Sequence, residues 1–115
     1  MDIRLIVLRT TDTKRLADFY SLLGLVFEYH QHGNSPMHYA AKIGEAIIEI
    51  YPLTKNQSEP DKHLRLGLGI DNFEVTMRRL KEAGIIFSSA PAQTEFGFMA
   101  IVIDPDERKI ELYKK

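Results

Sequence analysis

Ile48-Glu49-Ile50-Tyr51 and Ile110-Glu111-Leu112-Tyr113 are nearly the same four residues, met twice in a chain of 115. Each closes a stretch with the same order of parts. Asp12 to Gly24 is 12 positions, with Leu16, Phe19, Tyr20 and Leu23 at helical spacing. Asp71 to Gly84 is 13, with Phe73, Met77 and Leu80 as the apolar stripe. From Asp12 to Glu49 is 37 positions; from Asp71 to Glu111 it is 40. A repeat on this scale means one supersecondary unit used twice. No other feature of the chain limits its fold as strongly.

The parts follow from periodicity and punctuation. Residues 3–10 are β-rich and apolar, a first strand. Thr11, Asp12 or Thr13 caps the helix that follows, and Gly24 sits where a left-handed C-terminal residue belongs. Strands are expected over 25–31, 37–43 and 45–53, separated by the turn cluster 32–36 and by Gly44. Residues 54–62 are polar and aperiodic, the one linker-like stretch. In the second half a strand over 63–70 leads to a helix whose Asp71 and Glu74 form a capping-box pattern. Gly84 stops it, and strands follow at 85–89, 97–103 and 109–114. The reading is β-α-β-β-β twice: module one 1–53, linker 54–62, module two 63–115.

Composition adds limits. There are 16 acidic and 15 basic residues, a net charge of -1, which gives no drive toward nucleic acid or an anionic membrane. No apolar run approaches the ~20 residues that span a bilayer. The first residues do not order a charged leader, an apolar run and a small-residue cleavage site, so a cytoplasmic protein is expected. With no cysteine, disulfides, thiolate metal sites and cysteine nucleophiles are excluded together.

Residues 7–25, 44–53, 66–85 and 96–113 together resemble the vicinal oxygen chelate superfamily. That group holds glyoxalase I, bleomycin- and fosfomycin-resistance proteins and extradiol dioxygenases. Its signatures here are the strand, the helix ending in Phe19-Tyr20 and Leu23-Gly24, and the Asp104-Pro105-Asp106 turn before Ile110-Glu111-Leu112. The resemblance implies an α+β fold of two tandem modules forming a cup-shaped mixed β-sheet, and a homodimer whose modules pair within or between chains. Strand alternation then puts Ile48, Ile50, Ile110 and Leu112 against the helices. Glu49, Tyr51, Lys109, Glu111 and Tyr113 share the opposite, cavity-facing side.

In metal-using members, each half supplies one ligand from its first strand and one from its last. By the resemblance those positions are Leu5 and Glu49, Arg65 and Glu111. Leu5 offers no ligand atom and Arg65 offers only donors. Two carboxylates alone make a poor site for zinc, nickel or iron. The expectation is therefore no metal and no cofactor, with Arg65 standing in the metal's place and bridging Glu49, Glu111 or both. Should the strand register slip by one pair, His63 would take that position instead.

The functional expectation is a metal-free protein similar to bleomycin-resistance proteins, binding a small organic molecule through Glu49, Tyr51, Arg65, Glu111 and Tyr113. The alternative is a metal-dependent glyoxalase-type lyase or dioxygenase using Glu49 and Glu111 with further ligands, His63 or His38 among them. A degenerate structural dimer is a third reading. His30, His32 and His38 have metal-like spacing, yet His32 falls in a Gly-Asn-Ser-Pro turn, which reads as a solvated loop. Tyr29, Tyr39, Phe96 and Phe98 suit either a pocket or a strand core. Gly67 and Gly69 alternate within a strand and form no phosphate loop; they leave room beside Arg65. Glu107 stands where relatives often carry glycine.

Overall fold

The sheets are built alike. In the computed structural model, which describes residues 1–115, the order is β1 (Leu5–Thr10), α1 (Thr13–Leu22), β2 (Glu28–His30), β3 (His38–Ile43) and β4 (Ala46–Pro52). It continues with β5 (Leu66–Ile70), α2 (Phe73–Glu82), β6 (Phe87–Thr94), β7 (Gly97–Ile103) and β8 (Lys109–Lys114). The chain divides into two units, Met1–Ser21 with Leu25–Pro60, and Leu22–Gly24 with Asp61–Lys115. Each holds one four-stranded sheet, ordered β1-β4-β3-β2 and β5-β8-β7-β6. In both, the first strand pairs with the last in parallel and the remaining pairs are antiparallel. The fold is α+β, and the duplication read from the sequence is present in strand order and direction alike.

In the first unit Asp12 is the cap: its Oδ1 accepts from the Arg15 N–H at 3.1 Å. Leu16, Ala17, Phe19 and Tyr20 are buried along α1, and Phe19 meets Tyr20 edge to face at 4.9 Å. Gly24 closes the helix at φ 108°. On β4 the alternation holds, with Ile48 and Ile50 fully buried. Each such side chain contributes about 1.5–3 kcal/mol. Glu49 and Tyr51 then lie on the other face. β2 is shorter than the expected 25–31, only three residues.

In the second unit Ile110 and Leu112 of β8 are fully buried, with Ala100 and Val102 of β7. The α2 start differs from the expectation. Asn72, not Asp71, is the cap, in a left-handed conformation and with no side-chain cap bond. Asp71 and Glu74 pair instead with Lys115 and Lys114 at 3.0 and 2.5 Å, so the capping box is not formed. The left-handed Asn72 starts the helix one residue later than the pattern implied. At the other end Gly84 has φ 76°, and the Ile85 N–H reaches the Leu80 carbonyl at 3.0 Å, the six-to-one bond of a Schellman close. β5 begins at Leu66, so His63 and Arg65 precede it. β6 runs on to Thr94, past the expected 89, carrying Pro91 at the sheet edge within the register shift between Ser89 and Ala92. An edge strand with bulges is where proline is tolerated.

Candidate functional site

The register shows which positions of the two sheets correspond. Val7 lies beside Glu49 and Gly67 beside Glu111. Leu5 is two residues before Val7 and Arg65 two before Gly67, so Leu5 and Arg65 are equivalent and no slip brings His63 to that place. The two glutamates are equivalent as well. Their surroundings are not.

In the second unit, Arg65 donates from Nε to Glu111 Oε2 at 2.7 Å. Tyr113, two residues on and on the same face, donates its hydroxyl to Glu111 Oε1. The Tyr113 ring lies between two glycines. A Cβ on Gly67 would come 3.4 Å from its Cε2 and one on Gly97 3.8 Å from its Cδ1. The room that glycine leaves on β5 and β7 is thus filled by this ring. Both oxygens of Glu111 are occupied, and its carboxyl is held below the usual range, first by the Tyr113 hydroxyl and then by the Arg65 guanidinium. Tyr113 is pushed above its ordinary value by the same hydrogen bond to Glu111. Arg65 also lines an open recess of about 390 Å³ with Lys62, His63, Leu64, Glu107 and Lys109. Three of those six residues, Lys62, Arg65 and Lys109, are cationic, against one carboxylate, Glu107.

The turn into β8, which lends Glu107 to the recess, is marked only in part by the sequence. Asp104 Oδ1 accepts from the backbone N–H groups of Asp106 and Arg108 at 2.8 and 3.0 Å. Arg108, 1% exposed, donates from Nη1 to Asp104 Oδ2 at 3.2 Å and Asp106 Oδ2 at 3.1 Å. Glu107 is forced to φ 70°, the conformation that explains a glycine preference there. Nothing in a single sequence marks Arg108 as buried.

In the first unit Glu49 keeps different company. His38 Nε2 is 3.4 Å from its Oε2, and His32 Nε2 is 4.0 Å away. His38 is fully buried, stacked on Tyr51 with ring centroids 4.1 Å apart and planes 10° from parallel. Arg9 lies over the Tyr51 ring, 4.7 Å from its centroid. This corrects the solvated-loop reading: His32 is exposed, but His30 is partly covered and His38 wholly so. The other aromatics separate. Tyr29 packs on Tyr39 at 4.4 Å and Phe98 on Phe73 at 5.7 Å, while Phe96 is exposed.

Comparison with known proteins accords with this architecture. The family model of the Glyoxalase/Bleomycin resistance protein/Dioxygenase superfamily matches residues 3–112, and the chain belongs to that family. Among solved structures it is similar to TnmS3, an antibiotic binding protein from Streptomyces sp. CB03234. The TM-score is 0.79 at 24% identity, covering 99% of this chain and 95% of that one. A glyoxalase/bleomycin resistance protein from the same organism gives 0.75 at 24% identity, covering 97% and 99%. Oxidase ChaP-H2 gives 0.76 at 18% identity, covering 100% and 94%. No curated protein matches the chain by sequence. One backbone thus carries a binding protein and an oxidase, so the chemistry must be argued from side chains.

Proposed function

We propose that the protein binds a small anionic organic molecule, as bleomycin-resistance-like proteins bind theirs, with Arg65 as the anchoring cation and without a metal at the family's usual ligand positions. The observation that carries this is the Arg65–Glu111 pair at 2.7 Å beside a recess lined by Lys62, His63 and Lys109. The pair engages Nε of Arg65, which leaves the two terminal nitrogens to grip a carboxylate or phenolate. Glu111, itself held by Tyr113, orients the guanidinium, and each of its oxygens already accepts one hydrogen bond. Leu5 at the equivalent place has no donor atom at all. An antibiotic binding protein with the same fold is in keeping with an organic ligand.

The test is a thermal-shift screen of aromatic carboxylates, phenols and neutral or cationic aromatics of matched size, followed by calorimetry of the hits. The hits are expected to be anionic. In Arg65→Ala they weaken about 10–100-fold, the loss of roughly one to two factors of 1.4 kcal/mol. Hits that are neutral or cationic and indifferent to Arg65→Ala would refute the reading.

A further inference from the structure

We propose that His30, His32, His38 and Glu49 form a site for a divalent transition metal of the zinc, nickel or copper class, built wholly within the first unit and distinct from the family's ligand positions except at Glu49.

The sheet brings these residues together. His30 and His38 are direct cross-strand partners on β2 and β3. His32 follows His30 by two residues, on the same side as the chain enters the turn. Ala40, two residues after His38, is the partner of Glu49 on β4, so Glu49 is the diagonal neighbour of His38 on one face. One ligand atom from each of the four lies within 4.8 Å of every other. The three imidazole centroids are 4.6, 4.9 and 5.1 Å apart.

The hydrogen bonding of His38 points to an ion independently. Its Nδ1 is 3.0 Å from the Pro36 carbonyl, which can only accept, so Nδ1 carries the hydrogen. In the neutral ring Nε2 is then a lone pair. It is buried, without a hydrogen-bond partner, and aimed at a carboxylate oxygen 3.4 Å away. Two acceptors facing each other need a cation between them. His30 shares one feature with His38: its Nε2 is also buried and without a hydrogen-bond partner. A metal ion satisfies all the lone pairs at once. A backbone carbonyl on the far nitrogen, as Pro36 supplies to His38, is also how metal-ligating histidines are usually oriented.

The ligand set selects the ion. Three imidazole nitrogens and one carboxylate oxygen suit zinc, copper and nickel, whereas calcium and magnesium require oxygen. At bonds of about 2.0–2.1 Å a tetrahedral site has edges of about 3.4 Å, which is the present His38–Glu49 separation. The wider separations close if His32 moves. It is two-thirds exposed and sits in a turn held mainly by its own carbonyl and N–H to Ser35. Four protein ligands make a closed site, so the ion's work is structural. It fastens β2, a three-residue edge strand, and the following turn to the middle of the sheet.

The experiment uses tag-free, chelator-treated protein titrated with zinc, nickel and copper by calorimetry, with magnesium and calcium alongside. A single ion per chain is expected, at about 1 µM or tighter, with a rise in Tm of several degrees at saturation. His32→Ala is the main variant, because the exposed turn tolerates it, and Glu49→Gln is the second. Each should weaken binding at least about 100-fold, more than the loss of an orienting partner. Arg65→Ala and Glu111→Gln should leave it intact, which separates this site from the ligand site proposed above. Cobalt should show the intense visible bands of a tetrahedral nitrogen–oxygen set. No binding tighter than about 100 µM overturns the proposal. So does binding that survives His32→Ala, or that is lost in Glu111→Gln.

Discussion

Arg108→Met is the sharpest test of how the turn into β8 is held. The guanidinium is 1% exposed and bonded to Asp104 and Asp106, whose side chains are 0% and 8% exposed. Methionine keeps most of the stem's packing and removes only the charge. Two carboxylates are then left buried with no counter-charge from this residue. Breaking a buried pair in this way costs about 3–5 kcal/mol, against a total stability of about 5–15 for a domain. For a chain of this length about 1 kcal/mol moves Tm by about 4 °C, so a fall of about 12–20 °C is expected by calorimetry. Adding Asp104→Asn and Asp106→Asn should restore more than half of it. The charges go, while the side-chain amide introduced at position 104 would still present its oxygen to the two backbone N–H groups that Asp104 now serves. Lys109→Met, on the exposed neighbour, should stay within about 2 °C. A fall under about 4 °C for Arg108→Met, or neutralising changes that add to the loss, would show that the cluster does not hold the turn.

Two further outcomes follow from the same turn and strand. Glu107→Gly relieves a left-handed φ of 70°; strain of about 1–2 kcal/mol set against the unfolded-state entropy of glycine leaves a net gain of about 0.5–1 kcal/mol, and a lower Tm would contradict it. The Glu111–Tyr113 bond gives stability that depends on pH at both ends. Glu111 is depressed in the fold, so its contribution is present above its ordinary value of 4.5 and lost as pH falls through the folded value. Tyr113 is raised, so its contribution is present below 10.0 and lost as pH rises through the folded value. In Tyr113→Phe, an NMR titration of the Glu111 carboxyl should move back toward 4.5, and no movement would remove Tyr113 as the main cause.

What is legible in the sequence depends on periodicity. Ile48, Ile50, Ile110 and Leu112 alternate with the two glutamates, and a period of two decides their faces without any knowledge of the fold. Gly24 and Gly84 announce helix ends because left-handed backbone has few other occupants. Where a conformation goes to a less usual residue, the pattern misleads: left-handed Asn72 shifts the α2 start, and Glu107 gives no sign of its strain. Pro91 hides the second half of β6, since proline argues against a strand unless the strand lies at an edge. The histidines mislead for a different reason. His32 lies in a turn by every local signal, and only the pairing of His30 with His38 and of Ala40 with Glu49 reveals that the turn folds over a carboxylate. That is long-range register, which spacing along one strand does not contain.

The two glutamates hold equivalent backbone positions and differ in the partners that meet their charge. Glu111 is neutralised from within, by a guanidinium and a phenol, and the glycines at 67 and 97 give the phenol its space. Its unit presents a basic recess to solvent, a surface suited to an anion. Glu49 has no such internal partner: Leu5 stands where the second unit has Arg65, and the nearest groups are imidazole nitrogens, one of them buried with its lone pair toward the carboxylate. A duplicated strand with a carboxylate at its centre must satisfy that charge in each copy. The second copy does so with a side chain. The first leaves an opening for a cation, and the residues around it are of the type that holds a transition metal.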